Sequence, residues 1–216
     1  MNRITVVIPT RNRFAKLEVA LASIPTGPDL NVVVICDGDP KTHEALTANE
    51  RPYLQVFQTD ARRGAVYCRN LVSPLVEDGL LYATDDIEFL PGAIERAWQT
   101  FNQEFPDDDG VVGFHQLEPH HPAGVALVGK TFLDRYPRRK LFCPEYDHFA
   151  CQEVFWLAQR LNRFYYDEQA KLKHFHPGFY KDRIDETHAD ARAFRKRDHE
   201  LIALRQAEGL IWGLQA

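Results

Sequence analysis

The chain has 216 residues, and 26 Lys and Arg against 31 Asp and Glu leave a formal charge of −5, with 44% hydrophobic and 26% charged residues. These proportions describe a soluble globular protein and exclude a disordered or collagen-like one. The acidic balance argues against a general nucleic-acid binder, although 18 of the 26 basic residues are Arg, whose forked guanidinium suits local anion sites.

The first half alternates strands and helices. Ile4–Ile8 is a β-branched strand stopped by Pro9, and Phe14–Ile24 has the apolar spacing of an amphipathic helix. Asn31–Cys36 reads as a second buried strand that ends at Asp37-Gly38-Asp39-Pro40, followed by a short helix near Lys41–Ala48 and a strand at Leu54–Gln58. Gly64–Val76 reads as a helix, Leu80–Ala83 as a fourth strand ending at Asp85-Asp86, and Ala93–Phe105 as a helix opened by Pro91-Gly92. Near-continuous apolar strands imply a sheet covered by helices on both faces, so the fold class is α/β with a mostly parallel central sheet.

The second half changes character. Val111–Phe114 and Val125–Val128 read as strands, and Pro119, Pro122, Pro137 and Pro144 punctuate the region from Leu117 to Tyr146. Helix resumes at Cys151–Leu161, short strands follow at Phe164–Tyr166 and Lys171–Phe175, and a charged helix spans Thr187–Glu208. The expectation is a single domain over 1–216: a nucleotide-binding half at 1–105, an acceptor and catalytic half at 106–185, and a C-terminal helix at 186–216.

Cys36, Cys68, Cys143 and Cys151 are widely spaced among apolar residues and form no CxxC, which favours buried free thiols. The five-residue apolar run before Pro9 is too short for a signal peptide, and no stretch nears the roughly 18 apolar residues that span a bilayer. The expected setting is the cytoplasm, with no integral membrane segment.

In an open α/β sheet, ligands bind beyond the C-terminal ends of the strands. Three polar clusters fall there: Pro9-Thr10-Arg11-Asn12-Arg13, Asp37-Gly38-Asp39 and Asp85-Asp86. Each alone has a structural explanation, as helix cap, turn or solvated pair; their shared placement points to one crevice. Adjacent carboxylates at a strand end call for compensation, and a hard divalent ion such as Mg²⁺ or Mn²⁺ supplies it. His174 and His176 sit two apart on a strand and so share a face, as one metal ligand and a neighbour or as a hydrogen-bonded pair. Glu153, in the first turn of its helix among Phe149, Phe155 and Trp156, reads either as a general base or as a carboxylate stabilising the helix start.

Together V6VIPTRNR13, Asp37-Gly38, R63GAVYCRN70 and Y82ATDDIEFLP91 resemble inverting family 2 glycosyltransferases with the GT-A fold, closely over residues 4–100 and more loosely to about 176. The resemblance implies a nucleotide-sugar donor, of UDP or TDP type, and a glycan or other hydroxyl acceptor for a hexosyl group. It places Pro9, Thr10 and Asn12 along the nucleotide, Asp37 on the base, and Arg63 or Arg69 near the nucleotide or its phosphates. The family's DXD triplet falls on Thr84-Asp85-Asp86, which departs from it at the first acid. Asp86 then takes the metal position, Asp85 the ribose, and His174 or His176 the late metal ligand. The helix-start acid pair falls on Gln152-Glu153, making Glu153 the implied base, with Asp147 in reserve. Two other readings stand beside this one. A nucleotidyltransferase shares the sheet and the acidic site, but the turn PTRNRF lacks the Gly-rich loop such enzymes carry. A catalytically silent nucleotide- or glycan-binding module is separated by an assay for transfer or donor hydrolysis. No GxGxxG follows the first strand, against a nicotinamide or flavin role.

Overall fold

A computed structural model describes residues 3–48, 51–117, 121–176 and 185–214. Among these residues, eight strands form one sheet: β1 Ile4–Thr10, β2 Leu30–Asp37, β3 Leu54–Thr59, β4 Gly79–Tyr82, β5 Ile87–Phe89, β6 Val111–His115, β7 Ala126–Gly129 and β8 Phe164–His174. Among the described residues, seven α-helices accompany them: α1 Phe14–Ala22, α2 Pro40–Thr47, α3 Ala65–Val72, α4 Ala93–Glu104, α5 Lys130–Leu133, α6 Cys151–Arg160 and α7 Glu186–Ala207. Across the sheet the order is β3-β2-β1-β4-β7-β6-β8-β5. The four strands on the β3 side run parallel, β7 is antiparallel to β4, and β8 is parallel to β6. The expected α/β class and mainly parallel central sheet are present.

The apolar strands bury both faces because side chains alternate along them. Val6, Ile8, Val32 and Val34 pack with Leu17, Leu21 and Phe101 on one side. Val7, Val33 and Ile35 pack with Val66, Val72 and Leu157 on the other.

Several boundaries differ from the sequence reading. β1 runs through Pro9 to Thr10. The carbonyl of Val7 accepts from Ala83, which turns residues 7 and 9 toward β4. The β4 pairing stops at Val7, so the missing N–H of Pro9 interrupts no ladder there. α3 ends at Val72, ahead of Pro74. The two short strands expected at 164–166 and 171–175 are one strand, β8. Its polar middle, Asp167 to Lys171, spans a bulge where pairing with β6 shifts register, after which Leu172–His174 pair with β5. Asp167 is buried there and accepts from Thr100 Oγ1 at 2.5 Å and Arg96 Nε at 3.0 Å. All four cysteines are free, as expected, and three are buried.

Candidate active site

The C-terminal ends of β1, β2 and β4 converge as expected for an α/β crevice, and hydrogen bonds join the loops beyond them. Asp37, at the end of β2, is spent on the loop after β3. Its Oδ1 accepts from Thr59 Oγ1 at 3.0 Å and Arg63 N at 2.7 Å, and its Oδ2 accepts from Gly64 N at 2.8 Å. Gly38, with φ +63°, lets that loop close; a Cβ there would lie 2.6 Å from Arg62 N. Asp37 thus organises the wall of the crevice. Arg63 contributes its backbone, and its guanidinium lies over the Tyr67 ring at 5.7 Å. Asn12 sits in the left-handed region at φ 55°, and its N–H donates to Asp39 Oδ2 at 2.7 Å while Asp39 also caps α2 at Thr42. The loops after β1 and β2 are therefore locked to each other.

Asp85 and Asp86 are both buried beyond the end of β4. Asp85 accepts from Thr10 Oγ1 at 2.8 Å and Arg13 Nη1 at 2.9 Å. Burial, then the neighbouring Asp86, push its carboxyl above the usual range, and Arg13 and Thr10 oppose them. Asp86 faces the same burial, but His174 Nε2 at 3.3 Å, His188 Nε2 at 3.4 Å and Arg13 Nη1 at 3.3 Å surround it. Hydrogen bonds from the two histidines lead the opposing effects, and together they hold Asp86 well below the carboxylate range. His176 lies beside them, its ring 5.7 Å from that of His174 and 5.3 Å from that of His188; burial, then those two rings, lower its basicity.

The expected metal residues, Asp86, His174 and His176, are thus brought together. Carboxylate and imidazole suit a divalent transition ion chemically. As arranged, the Asp86 carboxylate is held by side chains. Among the described residues, no three His, Cys, Asp or Glu side chains are grouped to hold a metal, and both oxygens of Asp86 are engaged by Arg13 and two imidazoles.

Arg69, on α3, is 7% exposed and forms no ion pair among the described residues. Its Nη2 donates to the Ala83 carbonyl at 2.7 Å, and its guanidinium lies 5.8 Å from the Tyr82 ring and 5.6 Å from that of Phe142. Burial lowers its basicity. Its Nε and the Thr84 hydroxyl, one residue past that carbonyl, are buried polar atoms without hydrogen-bond partners. A buried cation lacking a counterion, beside an orphaned hydroxyl at a strand end, is an arrangement an anionic, oxygen-rich ligand would complete.

Glu153 has its carboxylate enclosed by donors. It is 1% exposed, and its carboxylate accepts from Tyr146 Oη at 2.6 Å, from Arg205 Nε at 2.5 Å, from Arg205 Nη2 at 3.1 Å and from the Trp212 N–H. A general base needs lone pairs open to the acceptor; those of Glu153 join α6 to α7 and the C-terminal segment. Asp147 is more open, with its side chain 30% exposed and ion-paired to Arg197. Its backbone carbonyl is 3.7 Å from where a Cβ on Gly64 would stand, so the 145–149 loop abuts the loop held by Asp37.

The sequence reading missed what α7 contributes. Asp185 caps it and binds Arg13, Glu186 meets Arg11 and Asn12, and His188 meets Asp86. Further along, Asp198 accepts the N–H groups of Asp147, His148 and Phe149 at 2.8–3.1 Å. The available signal was Asp185 three residues ahead of His188, in the N-cap position of a charged helix.

The fold is a mixed α/β domain whose β3-β2-β1-β4 strand order is Rossmann-like. No family model matches the chain, and neither does any curated protein. Among solved structures, the chain is similar to Staphylococcus aureus TarS. The TarS 1–349 structure aligns at 15% identity and TM-score 0.61 over 76% of this chain and 58% of that one. Its complex with UDP aligns at 15% identity and TM-score 0.62 over 76% and 57%. The longer TarS structure aligns at 15% identity and TM-score 0.63 over 77% and 35%. The aligned region thus spans under two thirds of each TarS chain. No helix among the described residues is long and apolar enough to cross a membrane.

Proposed function

We propose that the chain is an inverting glycosyltransferase that takes a sugar from a UDP- or TDP-linked donor and passes it to a hydroxyl of a glycan or other acceptor. The observation that carries this reading is Arg69, a buried guanidinium without an ion-pair partner among the described residues, set against the Ala83 carbonyl and beside the orphaned Thr84 hydroxyl. The TarS fold, solved with UDP bound, supports a uridine nucleotide at the equivalent crevice.

The proposed reaction is one displacement. The acceptor oxygen forms a bond to the anomeric carbon from the face opposite the leaving group, its proton passes to the Asp147 carboxylate, and the bond from that carbon to the diphosphate oxygen breaks. The electron pair stays on that oxygen, and Arg69 opposes its charge. Thr10 and Asp85 line the ribose side. Arg13 and the histidines hold Asp86 as a fixed anion that orients Arg13, and orientation of both substrates supplies much of the rate.

The test is transfer or hydrolysis from a panel of nucleotide sugars by the protein, by Asp147→Asn and by Glu153→Gln. Asp147→Asn is expected to lower turnover at least a hundredfold with an unchanged melting temperature. Full turnover in Asp147→Asn would remove it as the base. UDP binding with neither transfer nor hydrolysis across the panel would instead make the chain a silent binding module.

A further inference from the structure

α7 runs for 22 residues, about 33 Å, and its contacts follow the mouth of the strand-end crevice. At its far end Arg205 pairs with Glu153, and midway Asp198 gathers the 147–149 backbone and Phe194 lies against Arg62 at 5.1 Å. Its first turn lies on the loop after β1. The Asp185 carboxylate there is held by Arg13 through Nε at 2.8 Å and Nη2 at 2.7 Å, with Lys16 Nζ at 3.4 Å. The Glu186 carboxylate is held by Arg11 Nη2 at 3.0 Å and Asn12 Nδ2 at 2.7 Å. Three cations and an amide thus grip two adjacent carboxylates, within reach of Thr10, Asp85 and Asp86.

That donor set matches a diphosphate. Two neighbouring anionic groups, one held by an Arg fork and the other by a second Arg and an amide, are what Arg-rich phosphate sites bind. We propose that Arg11, Asn12, Arg13 and Lys16 form a diphosphate-binding site, and that Asp185 and Glu186 fill it as an internal stand-in which an incoming diphosphate displaces. Withdrawal of the first turn of α7 would remove two negative charges from beside these donors. The side chains differ in what holds them: Glu186 is 55% exposed and Asp185 29%, against 6% for Arg13. The carboxylates are the part able to leave.

This inference rests on reading the crevice as the site of a nucleoside diphosphate sugar, and inorganic pyrophosphate, lacking base, ribose and sugar, separates the two. Calorimetric titration of pyrophosphate into the full chain and into Asp185→Asn/Glu186→Gln is expected to give at least tenfold tighter binding in the variant, although the variant melts lower. Adding Arg11→Ala and Lys16→Ala to it should abolish the gain. In the unsubstituted chain, pyrophosphate should speed amide exchange at residues 186–189. Equal or weaker pyrophosphate binding by the variant, or slower exchange in that turn, overturns the stand-in, while the transferase reading keeps its own test in nucleotide-sugar turnover. Should the double variant fail to fold, Glu186→Gln alone is expected to tighten binding about threefold, and no tightening would overturn the proposal equally.

Discussion

Arg205 donates to both oxygens of the Glu153 carboxylate, 52 positions away in sequence and inside a buried pocket closed by Tyr146 and Trp212. The pair fastens the end of α7 to the start of α6. Removing one partner strands a charge that has already lost its water, which costs about 3–5 kcal/mol, whereas replacing both with apolar groups of similar volume is close to neutral. Arg205→Met should therefore lower the urea midpoint strongly, and Arg205→Met/Glu153→Leu should recover most of the loss. Equal destabilisation by the single and double variants would show that Arg205 acts through packing alone.

A second prediction concerns the loop that Asp37 organises. Gly38 has φ +63° and packs against the backbone of Ala61 and Arg62, so Gly38→Ala meets a steric clash with main chain as well as an unfavourable dihedral. The expected cost is about 2 kcal/mol. The 61–64 amides should also lose hydrogen-exchange protection beyond the global change. Retained stability and protection would mean that the loop has room to shift.

These two sites show how far the sequence could be read. Val6–Ile8 and Val32–Val34 declare buried strands because every position is apolar, and Asp37 and Asp85-Asp86 declare strand ends because carboxylates cannot continue such a run. Glu153 could not be placed the same way. An acid in the first turn of a helix among aromatics looks alike whether it opens to a cleft or meets an Arg from a distant helix, and Arg205 carries no local mark of its partner. β8 was read as two strands because Asp167 to Lys171 is polar, and the side chain that makes Asp167 a buried residue, Thr100, sits on α4. Long-range partners decide such cases, and Arg13 is another: its motif was visible, but its grip on Asp85, Asp86 and Asp185 depends on residues 72 to 172 positions away.

Asp185 predicts an acid dependence. Burial raises its pKa, but the hydrogen bonds from Arg13 and from the His188 N–H outweigh that and bring it down to about 2. A depressed carboxylate contributes stability that is fully present above its unfolded value of about 3.9 and is lost as pH falls through its folded value. The chain should therefore melt above Asp185→Asn by a constant margin from pH 6 down to about 4. The margin should then close between about 4 and 2. With 29% of the side chain exposed, the contribution is about 1 kcal/mol. Thermal melts of both proteins across this range check it, and a margin that persists at pH 2 would assign the effect to something other than the charge.

Asp198 makes a fourth case. It is fully buried and accepts three consecutive N–H groups, from residues 147, 148 and 149. Charge-assisted bonds to backbone of this kind are worth roughly 1.5–3 kcal/mol each when a partner is removed. Asp198→Ala should unfold at a markedly lower urea concentration and free the Asp147 loop, whereas Asp198→Asn, with one acceptor oxygen left, should fall between. Because Asp147 is proposed to receive the acceptor proton, turnover in Asp198→Asn should drop more than KM changes. A change confined to KM would detach the loop from the chemical step.

The sharpest prediction belongs to Arg69, where stability and binding should move in opposite directions. A buried guanidinium with one hydrogen bond, to the Ala83 carbonyl, and no ion-pair partner among the described residues is costly to the folded chain. Arg69→Met keeps the stem packed between Tyr82 and Phe142 and removes the charge, so its melting temperature should equal or exceed that of the unsubstituted chain. UDP affinity should fall at least tenfold, because the charge facing the diphosphate is gone. A structural arginine would behave differently, losing stability with the substitution and leaving UDP affinity at its starting value. Calorimetric titration of UDP beside thermal melts of both proteins separates the outcomes. Lower melting with unchanged affinity would remove Arg69 from the site, and with it the observation on which the transferase reading rests.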